Sequence, residues 1–164
     1  MNPNEDNTPD FAEIVRTQLP ALLLFARQWR HGSSEDIVQE AFMRLWEQRE
    51  LPENITAWLF TAVRNLSNHH LRSEKRRKNR ETKANTKNCW FDQENSHDET
   101  DEVNATLIRH LEALPFQYRE IIVAKIWGKM TLEQIAVIYG KSKSSVHRLY
   151  NTGLKILYES IKFL

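Results

Sequence analysis

The sequence predicts an all-α protein: two small helical domains joined by a flexible linker. Three observations carry this reading. Apolar residues recur with the 3.6-residue period of helices, and no stretch shows the two-residue alternation of a strand. Only 4 Gly and 5 Pro punctuate 164 residues, too few for a turn-rich all-β fold. The two helical parts are separated by a polar stretch of segregated charge. The expected boundaries are 10–80 for the first domain, 81–102 for the linker and 103–164 for the second domain.

Residues 1–9 read as a disordered lead. A helical pattern then runs from Asp10 through Phe11, Ile14, Val15, Leu22, Phe25 and Trp29, with Pro20 expected to kink or split it. Ser33 or Ser34 is expected to cap the next helix, with Glu35 and Asp36 in its first turn, where the helix dipole favours acids. Its apolar stripe is Ile37, Val38, Ala41, Phe42, Leu45 and Trp46. After a break around Pro52, a third helix runs from about Ile55 past Leu71. Arg72 to Lys83 then carries seven basic and two acidic residues, net +5, whereas Asp92 to Glu102 carries six acids and no Lys or Arg. A flexible stretch of about twenty residues has a root-mean-square span of roughly 25 Å, so the domains can sit well apart on a large partner.

Helical spacing resumes from Val103 to Leu114, and Pro115 suits the first turn of a helix from Phe116 to Trp127. Thr131-Leu132-Glu133-Gln134 is a capping box opening a short helix that Gly140 closes. Ser142 caps the last helix, Lys143 to about Phe163, with an apolar stripe of Val146, Leu149/Tyr150, Gly153/Leu154, Leu157/Tyr158 and Ile161.

Composition excludes several classes. The single cysteine, Cys89, forbids an internal disulfide and leaves no CxxC pair to start a zinc site. His69, His70, His97 and the acids 98–102 have irregular spacing, so no metal site is expected. No catalytic triad and no phosphate-cradling Gly loop is present, so neither an enzymatic role nor a cofactor or small-molecule substrate is indicated. The start of the chain is acidic and polar rather than a secretory signal, and the longest apolar stretch, Ala21 to Ala26, is far short of a bilayer span. The expectation is a cytoplasmic protein with no membrane insertion.

A short capped helix, a Gly turn and a longer helix form a helix-turn-helix candidate. The start of the second helix offers Lys143, Ser144, Ser145, His147, Arg148 and Asn151 on its polar face. Arg148 has the fork that donates two hydrogen bonds to guanine in a major groove. The bland alternative is a helical hairpin with a solvated face. In the first domain, a helix holding Trp58, Phe60, Arg64, Asn65, Asn68, His69 and His70 precedes the basic run with Arg72, Lys75 and Arg76. Rings, amides and cations together suit single-stranded nucleic acid, where bases stack and the backbone is neutralised. The alternative there is Trp58 as core and the basic run as a solvated tail. Asp36, Gln39, Glu40 and Arg44 form a mixed polar face on the second helix, ordinarily just a wet surface.

Two blocks of residues resemble a known family. Asp36-Ile37-Val38-Gln39-Glu40-Ala41-Phe42-Met43-Arg44-Leu45-Trp46 resembles the D-[LI]-V-Q-E-x-F-x-R-L-W signature of bacterial sigma factors, region 2.2. Ala57 to Leu66, then Leu71-Arg72, resembles regions 2.3 and 2.4. Leu114 to Glu120, Trp127-Gly128 and Thr131 to His147 resemble region 4. The whole is similar to the extracytoplasmic-function (ECF) group of the sigma-70 family, and the pairing of Ser144 to Arg148 with Trp127-Gly128 looks like its planctomycete type. The resemblance implies a region 2 helical bundle and a region 4 helix-turn-helix. It implies core RNA polymerase as partner through the β′ clamp helices and the β flap, promoter DNA, and the anti-sigma factor usual in the group. By the same implication Asp36, Gln39, Glu40, Arg44 and Trp46 dock on polymerase. Trp58 through Arg72, with Lys75 and Arg76, face the −10 element, help melt it and hold a flipped base. The start of the last helix reads the −35 element. The linker of such factors runs through polymerase near the RNA path, which implies that the acidic stretch 92–102 is expected to stand in there for RNA's negative charge. The sequence departs from the family at His69, where many members have Asp, and at Leu149, Thr152 and Leu154, where Arg is common. Fewer phosphate contacts mean weaker duplex binding and a shallower salt slope. Two competing readings are a stand-alone helix-turn-helix regulator of duplex DNA and a non-DNA decoy module.

Overall fold

The computed structural model describes residues 10–29, 32–78 and 99–162, and of 99–105 the backbone only. The expected disordered lead, Cys89, His97, the basic residues beyond Lys78 and the acids from Asp92 to Asp98 lie outside the described residues. Seven helices and no strand occur among the described residues: α1 (Phe11–Arg27), α2 (Ser34–Trp46), α3 (Ile55–Lys78), α4 (Glu99–Ala113), α5 (Phe116–Ile126), α6 (Leu132–Tyr139) and α7 (Lys143–Lys162).

The first three helices pack pairwise around Leu22, Phe25, Ile37, Leu45, Leu59 and Val63, all buried. Asp10 caps α1, its carboxylate accepting from the Ala12 amide at 3.0 Å. α1 is one uninterrupted helix through Pro20, contrary to the expected split. Proline removes a single ladder bond, on a turn whose flanking residues Leu19 and Arg16 are exposed to solvent. Ile14 on one side of it and Ala21, Leu22 and Phe25 on the other are buried in one core, so packing holds both halves in line. Ser33 occupies the N-cap of α2, but its side chain makes no cap hydrogen bond and lies 3.4 Å from His70 Nδ1 instead. The α2 stripe is buried as expected except at its end, where Trp46 is 69% exposed.

The second domain is built on α5. Six consecutive residues, Arg119 to Ala124, are buried, because α7 covers one side of the helix and α1 reaches the other. Pro115 stands at the N-cap of α5, which starts at Phe116 as expected, so its missing N–H costs no helical bond. α4 begins at Glu99, inside the stretch read as linker. The capping box forms as the sequence foretells: the Gln134 amide donates to Thr131 Oγ1 at 3.2 Å and the Thr131 amide to Gln134 Oε1 at 2.8 Å. Gly140 ends α6 in the left-handed region at φ 59°. Ser142 caps α7, accepting from the Ser145 amide at 3.2 Å. Val146, Gly153 and Leu157 are the buried stripe of α7, while Tyr158 and Ile161 at its far end are exposed.

The two domains touch, which their charge-segregated linker did not announce. α1 packs on α5 and α3 on α6. Trp29 meets Phe116 edge-on at 5.1 Å. Phe60, fully buried in α3, sits against Gly128, where an added Cβ would lie 2.7 Å from the ring and 2.6 Å from the Ala124 carbonyl. Only a residue without a side chain lets the second domain come that close.

Gln28 is 2% exposed, and neither its amide nitrogen nor its amide oxygen has a hydrogen-bond partner. A buried polar group left unpaired costs about 1–3 kcal/mol. Gln28→Met keeps the length of the side chain and removes that penalty, so it should raise stability by about 1 kcal/mol in a denaturant titration.

Candidate nucleic-acid and polymerase interfaces

Three surfaces gather the residues singled out by sequence. On α2, Asp36, Gln39 and Arg44 are exposed and Glu40 is half-buried, with Arg44 donating to Glu40 Oε1 at 2.6 Å. Trp46 rests edge-on against Phe11 at 4.8 Å and leaves most of its ring in solvent. It forms one wall of an apolar groove of about 520 Å³ between α1 and α2, with Val15, Leu23, Phe42 and Met43 on its sides. An exposed tryptophan at the lip of an apolar groove, with Glu35 and Glu47 on its rim, combines an apolar centre with a polar edge, as protein–protein interfaces do.

On α3 the expected −10 residues separate into three sets. Asn65, His69, Arg72, Lys75 and Arg76 are exposed on the polar face. Trp58 is half-buried against the core, between its two readings. Asn68 and Arg64 are engaged within the chain. Asn68 accepts from the Trp29 indole N–H at 3.0 Å. Arg64 donates through Nε to Glu120 Oε1 at 3.1 Å, and its guanidinium lies 4.4 Å over the Tyr139 ring.

On α7, Ser144, His147, Arg148 and Asn151 are exposed along one side. Asn151 Nδ2 lies 3.2 Å from His147 Nε2. Ser145 is half-buried and part of the Ser142 cap. Lys143 pairs with Glu133 of α6, and that contact holds the Glu133 carboxyl below its usual value. The expected −35 set thus lies together at the start of one helix, with Lys143 already paired. Glu120 and Tyr139, by contrast, carried no role in the sequence reading. The available signal was that Glu120 sits in an apolar helix with Phe116, Gln117, Val123 and Ala124 at its helical neighbour positions, so no cation on α5 can pair with it there.

Burial drives the Glu120 carboxyl above its usual 4.5, and the Arg64 cation beside it works in the opposite direction. Tyr139 is pushed well above its ordinary 10, by burial first and by the Glu120 carboxylate second. Its hydroxyl faces Glu120 without the geometry of a full hydrogen bond. A carboxyl whose value rises on folding contributes stability present below the ordinary 4.5 and lost as pH rises through the elevated value. Glu120→Gln should therefore gain stability relative to wild type as pH climbs from 4.5 into the neutral range, read as denaturation midpoints of both proteins across that range.

Among the described residues no helix is long and apolar enough to cross a membrane, and no cluster of three or more His, Cys, Asp or Glu side chains is placed to hold a metal. A comparison with curated protein sequences returns no match. Among solved structures, the chain is similar to the sigma factor RpoE of Bartonella quintana, solved in complex with the anti-sigma factor NepR. Identity is 26%, the match covers 94% of this chain and 98% of that one, and the TM-score is 0.70. It also shares its fold with CnrH, solved in complex with the cytosolic domain of CnrY, at 20% identity over 93% of this chain and 87% of that one, with a TM-score of 0.60. Residues 14–77 match the family model of sigma-70 region 2, and residues 110–159 match that of sigma-70 region 4. With both region models matched in chain order on a fold shared with a solved sigma factor, the chain belongs to the sigma-70 family, in its two-domain ECF group.

Proposed function

We propose that this sigma factor, which directs RNA polymerase to promoters, divides that task among the three surfaces described above. The α2 face with Asp36, Gln39, Glu40, Arg44 and Trp46 docks on the β′ clamp helices of core polymerase. The polar face of α3 meets the −10 element, and the start of α7 reads the −35 element as duplex. The observation that carries the docking assignment is Trp46, 69% exposed at the end of an otherwise buried stripe and standing over an apolar groove. A tryptophan continuous with an apolar groove makes a contiguous apolar patch, the kind of surface that marks a protein interaction site.

The chain's residues supply positioning rather than bond chemistry. Contacts on α3 that bind the melted −10 strand more tightly than the duplex shift the equilibrium toward the open promoter, since a ligand moves a two-state balance only by its differential affinity. Each domain alone offers a small interface to DNA. Polymerase holds both at fixed positions and raises their effective concentration on the promoter. RpoE and CnrH were each solved with a protein bound, in the first case an anti-sigma factor. By that likeness an anti-sigma factor is a partner of this chain too.

The test is retention on immobilised core polymerase, with wild type beside Asp36→Ala/Trp46→Ala. Wild type should be retained and the double variant lost, with both folded by circular dichroism. Equal retention of the two would refute the docking face. A stand-alone regulator would instead bind duplex DNA without polymerase.

A further inference from the structure

Residues 131–164 hold five basic side chains, Lys141, Lys143, Arg148, Lys155 and Lys162, and two acidic ones, Glu133 and Glu159. Both acids are engaged with lysines. Glu159 lies 4.0 Å from Lys155, within one helix, whereas the pair of Glu133 with Lys143 crosses the helix-turn-helix. Glu133 belongs to the first turn of α6, and Lys143 is the first residue of α7. A cation at a helix N-terminus faces the positive end of the dipole, and the first turn of α7 carries no acid to offset it. The offset comes from the neighbouring helix. The Thr131–Gln134 capping box and the Ser142 cap fix the backbone at both ends of the pair.

Stability is a weak reason for this contact. The side chains are 62% exposed at Lys143 and 58% exposed at Glu133, and ion pairs so open to water contribute little to folding. Position is a stronger reason. In a helix-turn-helix the start of the second helix enters the major groove while the first helix crosses the backbone. Lys143 and Glu133 join the two helices at that entry. A lysine there is a mobile point charge that can neutralise a phosphate and release its counterions. Here a carboxylate already holds the ammonium as a phosphate would. Lys143 and Arg148 are the cations in the first two turns of α7, so holding one of them removes half of that charge.

We propose that Glu133 is a positioning residue for duplex recognition: it holds Lys143 off the DNA backbone and so limits the sequence-independent share of binding by α7. This rests on the −35 reading given above. Phosphate contacts add affinity without sequence information, whereas base contacts carry the choice. With Lys143 held, the start of α7 still presents Ser144, His147, Arg148 and Asn151 to base edges. What it gives up is a contact that every duplex offers equally. The chain therefore clings little to bulk DNA by itself and takes its hold on a promoter from base contacts and from polymerase.

The experiment measures duplex affinity of the full-length chain across a salt series, by fluorescence anisotropy. The probe is a fluorescein-labelled duplex of random sequence, since a phosphate contact needs no particular bases. Arg72→Ala/Lys75→Ala/Arg76→Ala is the common background, so that the exposed cations of α3 do not mask α7. Glu133→Gln frees Lys143 and should tighten binding about three- to tenfold at low salt, with the slope of log affinity against log salt steeper by about 1. In a Lys143→Ala chain the same substitution should change affinity at most about twofold, because what is left is a screened, exposed charge. If Glu133→Gln loses helicity by circular dichroism, Glu133→Ala is read in its place with the same expectation. An unchanged affinity and slope overturns the proposal. So does an equal gain in the Lys143→Ala chain, which would mean that the carboxylate repels DNA directly and not through the lysine. Arg148→Ala is run on the same duplex. If it weakens binding while Glu133→Gln strengthens nothing, the role of Glu133 falls and the −35 reading stands. If neither substitution changes binding, both fall together.

Discussion

Phe60→Ala should be the most damaging single truncation in the molecule, lowering stability by about 3–5 kcal/mol. Phe60 is fully buried, its ring lies 4.8 Å from that of Phe25 in the first core, and its edge abuts Gly128 of the second domain. Removing the ring leaves a cavity in one core and takes away the surface on which the other domain rests. At roughly 2–4 °C per kcal/mol for a chain of this size, the melting temperature should fall by roughly 10 °C. Differential scanning fluorimetry on wild type and variant checks this. A shift of only one or two degrees would mean that neither core depends on the ring.

Arg148→Ala should have the largest functional effect among single changes on the DNA-reading helix. Arg148 is exposed on α7 beside Ser144 and His147, within two helical turns of the Ser142 cap. A bidentate arginine–guanine contact is worth about 1–3 kcal/mol of discrimination against the wrong base. Loss of that contact should cut the preference for the cognate −35 sequence roughly 10- to 100-fold, because every 1.4 kcal/mol is a factor of ten. Retention on core polymerase should stay at the wild-type level. Competition between matched and mismatched −35 templates in one transcription reaction measures the first, and a pull-down measures the second. Loss of both together would contradict a separate −35 surface.

Much of this fold was legible because its helix signals are local. The Thr131–Gln134 box, the Ser142 cap and the Gly140 stop each depend on residues within four positions of one another. The α2 stripe needs only the helical period to place Ile37, Val38, Ala41, Phe42 and Leu45 in a core. Pro20 misled because proline's cost is local while the core that overrides it is not: Ile14 and Phe25 are joined through the packing of α1 on α2 and α3. Trp46 followed the stripe's period, but α2 ends there, and among the described residues the ring meets Phe11 of α1 and is left 69% exposed. The domain contact was beyond reach for a related reason. Arg64 in an amphipathic helix beside a basic run reads as a nucleic-acid contact, and only the tertiary fold brings Glu120 to it. The charge contrast between the basic and acidic stretches suggested a linker that lets the domains sit well apart on a large partner. The contact is set instead by Phe60, Gly128, Trp29 and Phe116, which no charge count registers.

The candidate sites divide in the same way. Residues that need only a helix face to be exposed, such as Asp36, Gln39, Asn65, Arg72, Ser144 and Arg148, lie where the pattern placed them. Residues with a partner in the fold are less free: Asn68 serves Trp29 and Arg64 serves Glu120, while Lys143 lies exposed on its expected face but paired with the exposed Glu133. Sequence spacing gives the face a side chain occupies but not what lies opposite that face.

The central claim is that this chain gives RNA polymerase its choice of promoter. The most direct test is transcription by core polymerase on a pool of random-sequence templates, with and without the purified chain, followed by sequencing of transcript 5′ ends. The account predicts starts that depend on the chain and share two sequence blocks at fixed separation, with the upstream block degraded by Arg148→Ala. Transcript ends that are the same with and without the chain, while the chain is folded and bound to polymerase, would contradict it.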